Sequence, residues 1–285
     1  MQSFCVNAYA KVNLFLHIVG KKENGYHLIE SVFVFATLSN MLEIKVDHKK
    51  FKHDYSNVEF VNSSSRINSR YNTVIRAVKL LLRYAPSHTK VFVKVIKNIP
   101  IAAGLGSGSS DAGAVVRTLG KLWNVDRPIL DEIALNIGAD IPASIDSNPV
   151  FVQGVGEELH PIEKLSLPMN IVLVKPKKKF LSTPEVYSRH QGGFTKPIEW
   201  NEDKLLDIVK NATNDLQEIA ISLIPEIKDI ILTLELQKGC LIARMSGSGT
   251  VCFGMFNSME DAKVAASNIK EHHPDWWVCD TRLIV

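Results

Sequence analysis

Residues 99–113, IPIAAGLGSGSSDAG, set Gly104, Gly106 and Gly108 among Ser107, Ser109, Ser110 and Asp111. Glycine gives up more conformational freedom on folding than any other residue, so such a cluster needs a steric or ligand-binding reason. The stretch follows a strand-like run and precedes a helix-like one. A helix N-terminus leaves unpaired N–H groups and a partial positive charge, which draw anions and phosphate above all. Bare backbone lets the chain approach such a ligand, and the serine hydroxyls add donors that can also meet a metal. Two familiar phosphate loops do not fit. A Walker A loop needs Lys and then Ser or Thr after its last glycine, whereas Ser109 and Ser110 follow Gly108. A dinucleotide fingerprint needs glycine at 109. A tight strand-to-helix turn alone would need fewer glycines, so the residues point to phosphate binding without saying whose phosphate. A second Gly/Ser stretch, RMSGSGTVCFG at 244–254, lies between strand-like runs. Alone it reads as a hairpin turn; paired with the first it becomes a candidate wall of the same site.

Other residues can do chemistry only if their elements place them. Asp140 precedes Ile141-Pro142, the pattern of a helix N-cap with an early proline. Lys11 sits mid-way along AYAKVNLFL, a mostly apolar strand, and Asn13, two residues on, shares its side of that strand. Tyr26 and His27 follow Asn24-Gly25, a strong turn signal. The positioning elements read as strands over KVNLFLHIV, ESVFVFATL and NMLEIKV, then a polar stretch, 47–70, with a short strand and a variable loop. NTVIRAVKLLLRYA has helical apolar spacing with Asn72 or Thr73 as cap, and KVFVKVIKNI alternates as a strand ended by Pro100. Val115, Val116, Leu119, Leu122 and Trp123 mark one face of the helix after the glycines. Helices follow at RPILDEIALNIG and ADIPASI. The remainder alternates strands (MNIVLVKP) and helices (EDKLLDIVKNA, PEIKDIILTLELQ), closing on strand, helix, strand.

With 285 residues, 46% hydrophobic and 22% charged, the chain can bury ordinary cores and is long enough for two domains. A net charge of +3 implies no polyanionic partner. KPKKKF at 175–180 is the one dense basic run and reads as a solvated surface, with no nucleic-acid recognition motif. No apolar run reaches the roughly 18 residues of a spanning helix, and the N-terminus reads as a strand rather than a signal or transit peptide. Four scattered cysteines with no C-x-x-C pair suggest neither a zinc site nor a disulfide framework, and the histidines show no metal spacing. A soluble, cytoplasmic protein is expected.

Taken together, PIAAGLGSGSSD is similar to the central ATP loop of the GHMP kinase superfamily, named for its galactose, homoserine, mevalonate and phosphomevalonate kinases, and RMSGSGTVCFGMF resembles its C-terminal glycine motif. AYAKVNLFLHIVGKKENGYHLIESVF, followed in the chain by GADIPASI and NDLQEIAISLIPEI, resembles one family within it, whose acceptor is 4-diphosphocytidyl-2-C-methyl-D-erythritol on a route to isoprenoid precursors. The resemblance implies a two-domain α+β protein. Its N-terminal domain, 1–155, would be ribosomal-protein-S5-like and bind ATP, its C-terminal domain, 156–285, would be ferredoxin-like, and the active site would lie in the cleft between them. It implies transfer of the γ-phosphoryl of ATP, with Mg2+, to the C2 hydroxyl of the acceptor.

By the same resemblance Asp140 is the base and Lys11 the cation beside it, while Asn13 bonds substrate hydroxyls. Pro100, Ile101, Ala102, Ala103, Gly104, Leu105, Gly106, Ser107, Gly108, Ser109 and Ser110 cradle the ATP phosphates, and Lys97 and Asn72 lie near adenine or ribose. His27 reads the cytosine edge, Tyr26 lies against its face, and Tyr187 in STPEVY is a second stacking aromatic. No dedicated protein metal cluster is expected, nor a nucleic-acid or membrane partner; the chain would be a monomer or weak homodimer. Two other readings stay open: a different small-molecule GHMP kinase, using homoserine or a mevalonate derivative, and a non-catalytic nucleotide sensor on the same fold. NGYHLIESVF speaks against the first, and retention of Lys11 and Asp140 against the second.

Overall fold

The computed structural model describes residues 1–48, 55–61 and 72–284. The chain forms two compact units. One comprises Met1–Lys11, Leu38–Ile101 and Gly106–Ser147; the other comprises Val12–Thr37, Ala102–Leu105 and Asn148–Val285. Two long strands, β1 (Gln2–Lys21) and β2 (His27–Asp47), contribute residues to both. They are joined through Asn24-Gly25, where Gly25 takes φ +88° and its N–H bonds the Lys22 carbonyl at 2.9 Å.

In the first unit β4 (Lys90–Ile96) is the middle strand. It pairs antiparallel with Met41–Asp47 of β2 and parallel with β3 (Tyr55–Val61). Strict alternation in KVFVKVI buries Val91, Val93 and Val95 beside Leu42, Ile44 and Val46 of β2. Onto them pack α1 (Thr73–Leu81) through Val74, Val78 and Leu81, and α2 (Ser107–Leu122) through Val115, Val116 and Leu119. Two more helices, α3 (Arg127–Ile137) and α4 (Ile141–Asp146), complete the unit. α2 and α4 approach closely because Gly113 has no side chain: a Cβ there would stand 2.5 Å from the Ser144 carbonyl oxygen.

In the second unit β5 (Val150–Gln153) pairs with Ser31–Phe33 of β2 and with β6 (Glu158–Pro161). There follow β7 (Asn170–Pro176), α5 (Thr183–Ser188), α6 (Leu205–Asn211), α7 (Gln217–Leu223), α8 (Glu226–Glu235), β8 (Cys240–Met245), β9 (Cys252–Phe256), α9 (Met259–His272) and β10 (Trp276–Arg282). The last four strands form an antiparallel sheet in the order β10-β7-β9-β8, the ferredoxin-like arrangement. Val172, Val174, Cys252 and Phe256 of that sheet bury against Ile227, Ile230, Ile231 and Leu234 of α8 and Ala262, Ala265, Ala266 and Ile269 of α9. Ser258 caps α9, accepting from the Asp261 N–H at 3.0 Å. Among the described residues no helix is long and apolar enough to cross a membrane.

Two expectations change, and a third is described only in part. ESVFVFATL and NMLEIKV are one continuous strand. Ser39, the one residue between the two runs, does not break it, and Asn40 continues the strand with its side chain wholly buried and hydrogen-bonded. Lys175 does not belong to a solvated run. It is 6% exposed and its ammonium donates to the Pro176 carbonyl at 2.6 Å; burial lowers its pKa, partly offset by Glu226. Of the stretch 47–70, the strand exists as β3, while 49–54 and 62–70, where the variable loop was expected, lie outside the described residues.

Candidate active site

The helix after the glycines begins at Ser107, so Gly108, Ser109 and Ser110 are its first turn rather than loop. Gly106 is the residue before it, in the left-handed region at φ +60°, and no side chain caps the helix. The leading N–H groups of α2 therefore have no side-chain acceptor, and such uncapped helix starts attract anions. A Cβ on Gly106 would come within 3.2 Å of the Lys11 side chain, so glycine here serves both backbone geometry and the close passage of Lys11.

Lys11 is 5% exposed, and its Nζ lies 2.9 Å from Asp140 Oδ2. Asp140 takes the N-cap position of α4, yet its carboxylate does not cap; it turns to Lys11, and 36% of its side chain remains exposed. The capping expectation fails at the side chain: Asp140 has helical backbone angles, φ −80° and ψ −8°, rather than the extended ones of a capping residue, and its Oδ2 pairs with Lys11. The unit thus sets a fixed cation, an accessible carboxylate and an uncapped helix N-terminus around Gly106. Such a set can take a proton from a hydroxyl, neutralise charge and hold an anion.

Lys97 and Asn72 have defined local partners. Asn72 caps α1, accepting from the N–H groups of Val74 and Ile75 at 2.9 and 3.2 Å. Lys97 lies 2.7 Å from Asp111 Oδ2 and donates to Ser107 Oγ at 2.5 Å, all three being buried. Burial pushes the Asp111 carboxyl up, while Lys97 and Asn40 pull it back down. Thr73 Oγ1 donates to the Gly108 carbonyl at 2.8 Å. Ser110 Oγ is buried without a hydrogen-bond partner.

Within the second unit, 102–105 lies against the second glycine stretch. Val251 N–H donates to the Ala103 carbonyl at 3.0 Å, and Ser246 Oγ donates to the Gly104 carbonyl at 3.0 Å. Gly104 has φ +77°, and a Cβ would sit 2.3 Å from the Ser246 carbonyl oxygen. The hairpin reading of 244–254 holds: the turn joins β8 to β9, and it packs on 102–105. Asn214 of the NDLQ segment holds this turn, donating to the Met245 and Gly247 carbonyls at 2.8 Å each. Asn13 N–H donates to Ser246 Oγ at 3.0 Å and its Nδ2 to Ser31 Oγ at 3.0 Å, leaving Oδ1 buried and unpartnered.

The aromatic residues also fall in this unit. The His27 ring is 5.4 Å from the Tyr187 ring, and edge-on to His190 at the same distance. Burial, then Lys21 and His190, lower the His27 pKa, and its buried Nε2 has no partner. A neutral imidazole offers one donor and one acceptor. Tyr26 is 64% exposed. Sequence reasoning missed Asn40, Ser31, His190 and Asn214. It placed Asp111, Ser246 and Ser248 inside the glycine stretches without giving them roles; Ser248 Oγ lies 2.8 Å from Thr183 Oγ1.

The two halves of this architecture are those of a GHMP kinase: the family described as "GHMP kinases N terminal domain" matches residues 72–148 and "GHMP kinases C terminal" matches 202–275. The chain is 68% identical over 288 residues to a protein of Wolbachia sp. subsp. Drosophila simulans (strain wRi) named 4-diphosphocytidyl-2-C-methyl-D-erythritol kinase, each chain being covered in full. It is 68% identical, again over the full length of both, to the protein of that name from Wolbachia sp. subsp. Brugia malayi (strain TRS). A crystal structure of 4-(cytidine 5'-diphospho)-2C-methyl-D-erythritol kinase superposes with a TM-score of 0.79 at 29% identity, covering 98% of this chain and 99% of that one. The chain belongs to the 4-diphosphocytidyl-2-C-methyl-D-erythritol kinase family of the GHMP kinases.

Proposed function

We propose that the chain transfers the γ-phosphoryl of ATP to the C2 hydroxyl of 4-diphosphocytidyl-2-C-methyl-D-erythritol, giving the 2-phosphate and ADP, with Asp140 and Lys11 as its catalytic pair. The observation that carries the residue roles is the 2.9 Å Lys11–Asp140 contact beside Gly106 at the start of α2. Phosphoryl transfer asks little covalent chemistry of a protein and depends on positioning and charge. In this reading Asp140 takes the proton of the acceptor hydroxyl, and the Lys11 ammonium fixes that carboxylate and lowers the cost of the developing alkoxide. The uncapped N–H groups of α2 and the bare backbone from Pro100 to Ser110 hold the ATP phosphates.

Mg2+ fits this site through phosphate oxygens and water, with the unpartnered Ser110 hydroxyl as the protein oxygen nearest in kind. Among the described residues no cluster of His, Cys, Asp and Glu could hold an ion by itself. The ion, when bound, neutralises charge on the transferring phosphoryl group. Asn13 Oδ1 accepts from an acceptor hydroxyl, and His27 with Tyr187 takes the cytosine, Tyr26 closing over it. Asn72 and Lys97 reach the adenosine only while keeping the local bonds they make. The reading assigns ATP binding to the domain spanning 1–155 and 156–285 to the C-terminal domain, in a cytoplasmic monomer or weak homodimer.

Asp140→Asn tests it in a coupled ADP-release assay with Mg-ATP and the diphosphocytidyl acceptor, run beside homoserine, mevalonate and galactose. Turnover of the parent is expected with the cytidyl acceptor alone. The variant should lose about 10²–10⁴ in kcat, the range for a lost general base, with nucleotide binding unchanged. Activity within a few-fold of the parent would reduce Asp140 to a structural partner of Lys11.

A further inference from the structure

Asn40 uses its whole carboxamide inside the first unit. Oδ1 accepts the N–H groups of Asn98 at 2.8 Å and Ile99 at 2.9 Å, where the chain enters the glycine loop. Nδ2 donates to Asp111 Oδ1 at 2.7 Å and Ser107 Oγ at 3.2 Å, where the chain leaves it as α2. Lys97, adjacent to the entry, closes the same circuit on Asp111 Oδ2 and Ser107 Oγ. Asn40 is fully buried, Asp111 1% exposed and Lys97 9% exposed. Two backbone donors on Oδ1 fix which end of the amide faces Asp111, so the arrangement has one orientation. Its set of groups is also fixed: one ammonium, one carboxylate and one neutral amide.

We infer that Asn40 and Asp111 are positioning residues for nucleotide binding, clamping the two ends of the phosphate loop to one spacing, and that the clamp works with its amide and carboxylate exchanged. The inference rests on the phosphate-loop reading above and adds to it residues that touch no substrate. Asn40→Asp keeps the acceptor for Asn98 and Ile99 but sets a second carboxylate against Asp111. Asp111→Asn leaves the buried Lys97 ammonium without its anion, a costly state for a desolvated charge. Asn40→Asp combined with Asp111→Asn restores one carboxylate, one amide and one ammonium to the same space. The relocated carboxylate can still receive both backbone donors and the relocated amide.

The experiment measures the dissociation constant of a non-hydrolysable Mg-ATP analogue by calorimetry for the parent, both single variants and the double. KM for each substrate, kcat and the melting temperature are read beside it. Each single variant is expected to bind the analogue at least about tenfold more weakly, with KM for ATP raised more than kcat is lowered, and the double to recover to within a few-fold of the parent. Single variants that fail to fold beside a folded, nucleotide-binding double would support the exchange equally. Asn40→Ser is uncharged and leaves the Lys97–Asp111 pair intact; it is expected to fold and to raise KM for ATP while leaving KM for the acceptor unchanged. Parent-like analogue affinity in Asn40→Ser, or a double variant as weak as the product of the singles, would overturn the clamp. A parent that binds the analogue but phosphorylates no cytidyl acceptor would sink the proposed function and leave this test readable.

Discussion

Gly104→Ala separates a steric need for glycine from a ligand's need for it. The residue sits at φ +77°, a conformation that costs a residue with a Cβ about 1–2 kcal/mol. The new methyl would also lie 2.3 Å from the Ser246 carbonyl oxygen, against an ordinary carbon–oxygen approach of about 3.3–3.6 Å, so one group must retreat by roughly 1 Å. Ser246 is poorly placed to do so: it is buried, its N–H donates to the Val251 carbonyl at 2.9 Å, and its hydroxyl bonds both Gly104 and Asn13. Overpacking of that kind costs about 1–3 kcal/mol, which with the backbone strain makes about 2–5 kcal/mol. At about 2–4 °C per kcal/mol for a chain of this size, melting should fall by about 10 °C. KM for ATP should rise as 102–105 shifts on the 246–251 turn. Gly108→Ala is the control. Its backbone is helical, its Cβ would meet only Thr73 Oγ1 at 3.5 Å, and alanine is favoured there by up to about 1 kcal/mol. It should melt no lower than the parent, and any rise in its KM for ATP would report the phosphates themselves. A Gly104→Ala protein melting within about 2 °C of the parent with unchanged KM for ATP would refute the reasoning.

Two further outcomes follow from single side chains. Ser246→Ala removes the acceptor of the buried Asn13 N–H and the donor to the Gly104 carbonyl, and should cost about 1–3 kcal/mol in denaturant unfolding; a loss confined to a few tenths would mean water takes both bonds. His17 is buried, and its Nε2 accepts the Thr213 N–H at 3.1 Å. Burial lowers its pKa, opposed by Asp215 and Glu30 and reinforced by Arg244. The unfolded chain then binds the proton more readily than the folded one below about pH 6.5, so the stability it contributes is present above that pH and lost as pH falls from there through the lowered folded value. Urea midpoints taken from pH 8 to 5.5 should decline at the acid end and decline less in His17→Gln, which keeps an acceptor without titrating; an unchanged slope would acquit His17.

Much of this protein is written locally in its sequence. Alternation in KVFVKVI, the Asn24-Gly25 turn, the cap at Asn72 and the helical spacing of Val115, Val116 and Leu119 each depend on neighbours within a few residues, and each appears where the sequence places it. The glycine stretch belongs with them, since the left-handed backbone at Gly104 and Gly106 is a property of those residues themselves. The proposed catalytic pairing is of another kind. Lys11 and Asp140 lie 129 positions apart, and nothing near Asp140 distinguishes a carboxylate that caps its helix from one that turns to a lysine. Asn40 reads only as the first residue of the strand NMLEIKV, yet burial and four hydrogen bonds make it the tie between both ends of the glycine loop. Lys175 reads as one of a run of solvated lysines, and the packing around β7 buries it. Backbone conformation is set by short-range sterics that composition and spacing record. The partner of a polar side chain is whichever group the packed core brings beside it and shields from water, and only the tertiary structure makes that choice.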